Sequence, residues 1–347
     1  MTKKKKHSKL RYMIWVIEII VVLALIEHVF IKKDLTLLKT NDKKEFDTSI
    51  FYNEQAIYHG EDIVTQFKGL EEVKHSYYAK TDRLAPGSPK AMEKQKEWVN
   101  EKKFPLEIKN SLGMIFRLIP PGTFLMGSPE TEKGRGICET PHKVTIKNPF
   151  YITKHEVTIK EWKQLMKINK NSFKGINTPA EEMTWYDCQR FIKKLCKREG
   201  VPKGRYRLPT EEEWEYACRA GTSTAFYFGD STIKAGDFME YLDSESRRTS
   251  VVGQKIPNAW GLFNMHGNVW EWCLEIYTDY LSGLQVDGNK RCIRGGNWYS
   301  PLDECRSANR CRLTATSHGN LLGFRLIRSI VKEVPYEILE AQEKHSN

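Results

Sequence analysis

The chain has 347 residues, of which 40% are hydrophobic and 29% are charged, and these are values of a globular protein rather than a disordered one. Its net charge of +11 would suit a nucleic-acid-binding protein. More than half of that surplus, however, lies in residues 1–33, which hold eight basic and two acidic residues. The remainder is spread thinly along the chain. The charge therefore does not predict a nucleic-acid partner.

The N-terminus carries a long apolar run. From Met13 to Ile31 there are 19 residues, and as a helix they span roughly 28 Å, about one hydrocarbon core. Lysines flank the run on both sides, and no small-x-small cleavage site follows it. The sequence predicts a transmembrane signal-anchor at 13–31, a basic cytoplasmic tail at 1–12, and a single-pass membrane protein whose main domain is extracytoplasmic. A buried helix of a soluble domain is the alternative.

The remaining residues divide at about position 106. Residues 32–106 predict a stalk or linker with some helix. Residues 107–330 predict one domain of short strands, turns and helices, and residues 331–347 predict a C-terminal tail. Reciprocal N-terminal capping boxes predict three helices in the domain: Thr158 with Glu161, Thr184 with Asp187, and Thr210 with Glu213. Loop-rich sequence follows the third helix, so the fold class is α+β with much irregular backbone.

The stretch from Trp260 to Trp298 is rich in tryptophan and glycine. It contains one acidic residue within an otherwise apolar block, Glu271, between Trp270 and Trp272. Because tryptophan is rarely free on a surface, the cluster predicts a core that also shapes a site. We expect Trp270, Asn297 and Trp298 to line a ligand groove.

Six segments of the domain have a distinctive sequence. They are GMIFRLIPPGTFLMGSPETEKGR, TPHKVTIKNPFYITKHEVT, YRLPTEEEWEYACRAGT, NAWGLFNMHGNVWEWC, RGGNW and, in two parts, CRSANR and LLGFRLI. In this order they resemble the formylglycine-generating enzyme family, whose domain is also called the sulfatase-modifying factor domain. The resemblance covers about residues 107 to 330. It implies a fold related to C-type lectins and adds nothing about residues 1–106.

The family resemblance also implies a copper site, from which this chain departs. Formylglycine-generating enzymes oxidise a cysteine of a sulfatase peptide with O₂, using Cu(I) held between two thiolates. Counted from the turn at Gly295 and Gly296, the two family cysteines correspond to Ser300 and Cys305. A serine hydroxyl is a hard, protonated oxygen and cannot replace a thiolate for Cu(I). Copper is therefore not expected as a cofactor.

Cys305 is open to two interpretations. One is a remnant catalytic or copper thiol. The other is a disulfide, since the resemblance implies a bridge from Cys218, on the third predicted helix, to a cysteine of the CRSANRC segment. That partner is Cys305 or equally Cys311, because cysteine spacing does not give connectivity. We expect a disulfide between Cys218 and Cys305 rather than a catalytic thiol.

Calcium is a further implication of the resemblance. By position, the ligands are the Asn264 side chain, the carbonyls of Gly267 and Val269, and the Glu271 carboxylate, all of them the hard oxygens that Ca²⁺ takes. Alternatively, Glu271 is a buried carboxylate paired with an arginine such as Arg325. Since a buried unpaired charge is costly, one of the two must hold. We expect calcium as the cofactor.

Two functions of different classes remain. The first, which we favour, is a membrane-anchored, non-catalytic domain whose aromatic groove binds a peptide, glycan or partner protein. The alternative is a formylglycine-generating oxidase that acts on a sulfatase cysteine through a rearranged copper site. Residue 300 separates them, because a thiol there would favour the enzyme. Fold alone does not decide, since function lies in the site.

Overall fold

The structure is a computed structural model that describes residues 70–72, 89–167, 170–244, 246–279 and 288–330. Within these ranges, no helix has the length and apolar character needed to cross a bilayer. The predicted membrane helix at 13–31 and the tails at 1–12 and 331–347 lie outside the described residues. Most of the predicted stalk does too.

The described residues form a mixed α/β structure of short elements. Its helices are α1 (Pro89–Lys102), α2 (Ile159–Leu165), α3 (Trp185–Glu199), α4 (Glu211–Arg219) and α5 (Ala235–Phe238), with a 3₁₀ helix at Leu302–Cys305. Its strands are β1 (Glu71–Glu72), β2 (Glu107–Lys109), β3 (Ile115–Ile119), β4 (Gly122–Met126), β5 (His142–Ile146), β6 (Phe150–Thr153), β7 (Tyr206–Arg207), β8 (Trp270–Ile276), β9 (Lys290–Arg294), β10 (Cys311–Thr314), β11 (Leu322–Gly323) and β12 (Ile327–Ser329). Long irregular segments connect them, as the sequence predicts.

The strands form two sheets and a separate hairpin. One sheet has the order β1-β2-β3-β6-β12-β7, the other has the order β10-β9-β8-β11, and β4 pairs with β5. Strand β12 comes from the end of the domain, yet it pairs antiparallel with both β6 and β7, with Ile327 opposite Ile152 and Arg207. The last strand of the domain therefore lies inside the sheet, between β6 and β7, and joins the two ends of the domain.

Each of the three predicted capping boxes forms. The hydroxyl of Thr158 accepts the backbone N–H of Glu161, whose carboxylate in turn accepts the N–H of Thr158. The same reciprocal bonds form at the N-termini of α3 and α4. Helix α3 ends at Gly200, which has a φ of 64°, and a left-handed residue of this kind closes a helix readily when it is glycine. These signals are local in the sequence, so they predict the helix starts correctly.

Helix α1 packs against the domain although it precedes the predicted boundary at residue 107. The side-chain amide of Gln95 donates to the Leu118 carbonyl at 2.6 Å. The indole of Trp260 donates to the Ala91 carbonyl at 2.9 Å. Gln95 and Ala91 are both buried. The C-terminal part of the predicted stalk thus contains a helix, as expected, and this helix packs against residues of the 107–330 domain.

Gly267 and Gly253 give a matched test of the loop packing. Both have positive φ, 71° and 76°, but a Cβ on Gly267 would lie 1.8 Å from the Glu240 carbonyl oxygen, whereas nothing lies within 4 Å of a Cβ on Gly253. We expect Gly253→Ala to lower the free energy of unfolding by about 1–2 kcal/mol, the cost of left-handed backbone. We expect Gly267→Ala to cost more than about 4 kcal/mol or to prevent folding.

Urea unfolding followed by far-UV circular dichroism measures both variants. A Gly267→Ala protein as stable as the Gly253→Ala protein would contradict the close approach of the two backbones.

Candidate functional site

The loop that leads into β8 lies against the turn that precedes the Ser300 position. Asn264, Gly267 and Asn268 all have positive φ, so this five-residue stretch is irregular backbone and neither helix nor strand. The N–H of Gly267 donates to the Gly295 carbonyl at 2.7 Å, and the N–H of Trp298 donates to the Asn268 carbonyl at 3.0 Å. Two segments that the sequence singled out are therefore adjacent in the fold.

Glu271, at the start of β8, forms a buried ion pair with Arg325. The Nε and Nη2 atoms of Arg325 donate to the two carboxylate oxygens at 2.6 and 2.7 Å. The indole N–H of Trp214 donates to the same carboxylate at 2.7 Å. Burial disfavours the charged guanidinium, but the Glu271 carboxylate outweighs burial and raises the pKa of Arg325 above its ordinary value. The ion-pair alternative for Glu271 is thus formed in the structure.

A second carboxylate, Glu156, is buried beside this pair. Its Oε1 accepts the side-chain N–H of Asn268 at 2.8 Å, and its Oε2 has no hydrogen-bond partner among the described residues. Burial, and after it the charge of Glu271, raises the pKa of Glu156 to about 8. Burial and the neighbouring Glu271 carboxylate thus both favour the protonated form of Glu156.

The predicted calcium ligands belong to the same loop. Both oxygens of Glu271 already accept hydrogen bonds, and the Oδ1 of Asn264 accepts the N–H of Gly253 at 3.0 Å. The unpartnered atom of Asn264 is its Nδ2, a donor. Within the described ranges, no three His, Cys, Asp or Glu side chains are arranged to hold a metal. Calcium binding through Asn264, Gly267, Val269 and Glu271 stays a prediction, and it would require the two side chains to exchange their present partners.

Ser300 precedes the 3₁₀ helix and Cys305 is the last residue of that helix, and neither offers a thiolate. The hydroxyl of Ser300 donates to the Glu304 carboxylate at 2.8 Å. Cys305 is 0% exposed, and its sulfur packs so closely on Gly296 that a Cβ there would lie 2.5 Å from it. Burial raises the pKa of the Cys305 thiol well above its ordinary value. One hydroxyl and one neutral, inaccessible thiol do not fit a Cu(I) ion held between two thiolates.

The expected disulfide between Cys218 and Cys305 is not formed. All eight cysteines lie in the described part of the chain, and all are free thiols. The Cys218 thiol lies 3.7 Å from the Ser307 hydroxyl, to which it can donate. His266 packs against both cysteines: its Nδ1 lies 2.7 Å from the Cys305 carbonyl and its Nε2 lies 3.8 Å from the Cys218 sulfur.

His266 is a neutral structural residue. The backbone N–H of Tyr227 donates to its Nε2 at 3.1 Å, so Nδ1 carries the proton that is donated to Cys305. Burial lowers the pKa of His266 to about 3. An imidazole with both nitrogens committed in this way does not act as a base toward a ligand.

The residues expected to line a groove do not share one surface. Trp270 is 8% exposed and belongs to the hydrophobic core. Asn297 is buried, and its Oδ1 accepts the N–H of Tyr299 at 2.6 Å, which closes a turn. Trp298 is half-buried, with its ring edge to face with Phe173 at a centroid distance of 5.9 Å. Trp298 alone of the three contributes to a surface, because β8 turns Trp270 inward.

Apolar side chains surround the turn that carries Ser300, and the sequence did not predict most of them. We call this set the aromatic surface; it consists of Phe173, Ile176, Leu242, Val251, Trp298 and Tyr299, which are exposed or half-buried. Its segments are held by backbone bonds, from Leu242 N–H to the Ser300 carbonyl and from Val252 N–H to the Asn177 carbonyl, each 3.0 Å. They come from three separate loops, so no periodic pattern marks them.

The buried ion pair makes a prediction about stability. Arg325→Met would leave Glu271 buried without its counter-charge, and we expect a loss of about 3–5 kcal/mol in the free energy of unfolding. Lys109→Met is the control. It breaks an ion pair with Glu71 whose side chains are 36% and 65% exposed, so the cost should be below about 1 kcal/mol. Chemical denaturation of both variants measures the difference.

The predicted calcium site and the ion pair are separated by removing calcium. If calcium binds through Asn264 and Glu271, EGTA should lower the melting temperature of the wild-type protein but not of Glu271→Gln, since a ligand of the native state raises its stability. A wild-type melting temperature that does not change in EGTA would favour the ion pair with Arg325 alone.

Comparison with known proteins gives the chain its family. The family described as sulfatase-modifying factor enzyme 1-like domain matches residues 107–330. The Chaperone protein LppX of Paenibacillus barcinonensis is 28% identical over 227 residues, which are 52% of this chain and 80% of that protein. The formylglycine-generating enzyme of Streptomyces coelicolor is 33% identical over 172 residues, 43% of this chain and 52% of the enzyme. The chain thus spans about half the length of that enzyme.

A solved structure agrees with this match. PvdO from Pseudomonas aeruginosa superimposes with a TM-score of 0.58 at 28% sequence identity, over 64% of this chain and 97% of PvdO. Since the family match alone covers well over half of the chain, this protein belongs to the sulfatase-modifying factor family, with residues 107–330 as its family domain.

Proposed function

We propose that this protein is a non-catalytic member of the sulfatase-modifying factor family that binds a polypeptide segment on its aromatic surface. One observation carries the proposal. Where the resemblance expects two copper thiolates, the chain has a serine hydroxyl bound to Glu304 and a neutral, fully buried thiol at Cys305. Cu(I) chemistry needs soft, accessible sulfur, and these two positions do not supply it.

The alternative is an oxidase with a rearranged copper site, and it needs a second sulfur beside Cys305. The nearby cysteines are engaged elsewhere. The Cys292 thiol donates to the Glu211 carboxylate at 3.1 Å, and the Cys218 thiol lies against Ser307. Burial raises the pKa of both thiols above the ordinary value. These contacts favour the non-catalytic function.

The aromatic surface supports a polypeptide as the ligand. Tyr299 is 62% and Ile176 is 56% exposed, and clustered exposed apolar side chains mark interaction sites on soluble domains. Trp298 is fixed in place, because its indole N–H donates to the Asn320 carbonyl at 3.2 Å. A rigid aromatic side chain loses little entropy on binding, which is why tyrosine and tryptophan dominate interface energies. The name of the relative LppX, a chaperone protein, points to the same class of ligand.

The proposal includes the predicted cellular setting. Residues 13–31 would anchor the chain in a membrane and place the family domain outside the cytoplasm, with a C-type-lectin-like fold as the resemblance implies. Both features depend on the sequence argument alone. A tethered domain of this kind would present its aromatic surface to exported polypeptides.

The aromatic surface is tested with an unfolded probe. Reduced, carboxymethylated α-lactalbumin labelled with a fluorophore reports binding by anisotropy. We expect the wild-type protein to bind it, and Tyr299→Ser combined with Ile176→Ser to bind at least tenfold more weakly, because anchors of this kind each contribute about 1–2 kcal/mol.

The matched control is Ile137→Ser combined with Ile233→Ser, two apolar side chains that are 80% and 92% exposed and lie outside the aromatic surface. This control should bind within twofold of wild type. Equal weakening in both double variants, or no binding by the wild-type protein, would overturn the assignment of the surface.

A further inference from the structure

Basic residues concentrate in one region of the family domain. Residues 160–207 contain thirteen lysine and arginine residues against five acidic ones. Acidic residues elsewhere in the chain offset these positive charges. The net charge outside the N-terminus is therefore small, although this one region is strongly basic. Five of these cations are exposed on α3: Arg190, Lys193, Lys194, Lys197 and Arg198. The outer side of α3 is therefore a positive surface.

The two acidic residues of α3 neutralise little of that surface: Asp187 pairs with Arg190 alone among the five exposed cations of the described helix. Glu199, at the C-terminal end of α3, is half-buried and accepts hydrogen bonds from Tyr206 and Ser111. Asp187 is buried at the N-terminus of the helix, where its carboxylate accepts the N–H and hydroxyl of Thr184. Neither carboxylate reaches the exposed side of the helix beyond its first turn.

A cavity of about 260 Å³ opens between α2 and α3. Its apolar lining comes from Trp162 and Met166. Four cations surround it: Lys167, Lys170, Arg190 and Lys194. Among the described residues, Asp187 is the one acidic side chain of its lining. Four positive groups around one carboxylate leave an excess of three positive charges at the opening.

Contacts with neighbouring residues hold three of the four cations at the cavity. Lys170 and Arg190 both contact Asp187, which holds their charges at the cavity. Lys194 donates to the Leu165 carbonyl at 3.1 Å, and an ammonium group has two further N–H donors to offer a ligand. Arginine suits bidentate recognition of an oxyanion, and lysine adds a point charge.

We propose that this cavity binds a phosphate group of an anionic ligand. A phosphate monoester carries a charge of about −1.5 to −2 at neutral pH and three strong acceptor oxygens, which suits the charge excess and the donors around the opening. The apolar lining of Trp162 and Met166 would contact the carbon skeleton that carries the phosphate. A soluble phosphate ester and a phospholipid head group share this chemistry.

Isothermal titration of the full-length protein with inorganic tripolyphosphate tests the site. Arg190→Gln combined with Lys194→Gln removes two cations of the cavity. Lys197→Gln combined with Arg198→Gln removes two cations of the same helix that do not line it. We expect the first double variant to bind at least tenfold more weakly than wild type and the second to bind within threefold. Lys197 and Arg198 are exposed, so the second double variant should keep the wild-type melting temperature. The first double variant loses the contacts to Asp187 and Leu165, so it should melt somewhat below wild type while remaining folded at the temperature of the titration.

Each result either supports or overturns the cavity as the phosphate site. Equal weakening in the two double variants would show diffuse electrostatic attraction and overturn the cavity as the site, as would absence of binding by the wild-type protein. Competition with soluble dihexanoyl phosphatidic acid, a lipid with a monoester phosphate, then separates the two sources of phosphate. Displacement of tripolyphosphate that depends on Arg190 and Lys194 supports the site and assigns it to a lipid head group. Retention of tripolyphosphate supports the site and assigns it to a soluble ligand.

Discussion

The fold depends on a charge pair that is removed from water. Glu271 stands at the start of β8, Trp214 lies on α4, and Arg325 lies between β11 and β12, so one carboxylate joins a strand of one sheet to a helix and to the segment between the two sheets. Burying two charges costs several kcal/mol, and close contact with full hydrogen bonding is needed to offset that cost. The loop around the candidate site therefore has little freedom to move independently.

Other buried arginine side chains of the domain also hold separate segments together. Arg294 donates to the carbonyls of Ser307, Ala308 and Asn309 as well as to the Glu215 carboxylate. Arg306 donates to the Gly134 carbonyl and to the Glu139 carboxylate. Irregular backbone lacks the internal hydrogen bonds of helices and sheets, and buried carbonyls need partners. Guanidinium groups supply them here, and glutamates, several of them on α4, balance their charge.

Local signals in the sequence predict local structure, and the site depends on distant contacts. The capping box at Thr184 and the apolar side of α3 lie within a few residues, so both are predicted correctly. The partner of Cys218 is Ser307 rather than Cys305, and the sequence leaves that choice open because cysteine spacing carries no connectivity. Trp298 and Phe173 come into contact only through loop packing. For Glu271 the sequence predicts two candidate partners, a calcium ion and Arg325. In the structure Glu271 pairs with Arg325.

The non-catalytic function depends on the chemistry at Ser300 and Cys305. Cu(I) titration of the purified protein, together with mass spectrometry of a cysteine-containing sulfatase peptide incubated with it under O₂, tests that chemistry most directly. A hydroxyl and a buried neutral thiol should bind Cu(I) weakly and leave the peptide cysteine unchanged. Tight Cu(I) binding accompanied by conversion of the peptide cysteine to formylglycine would contradict the proposed function.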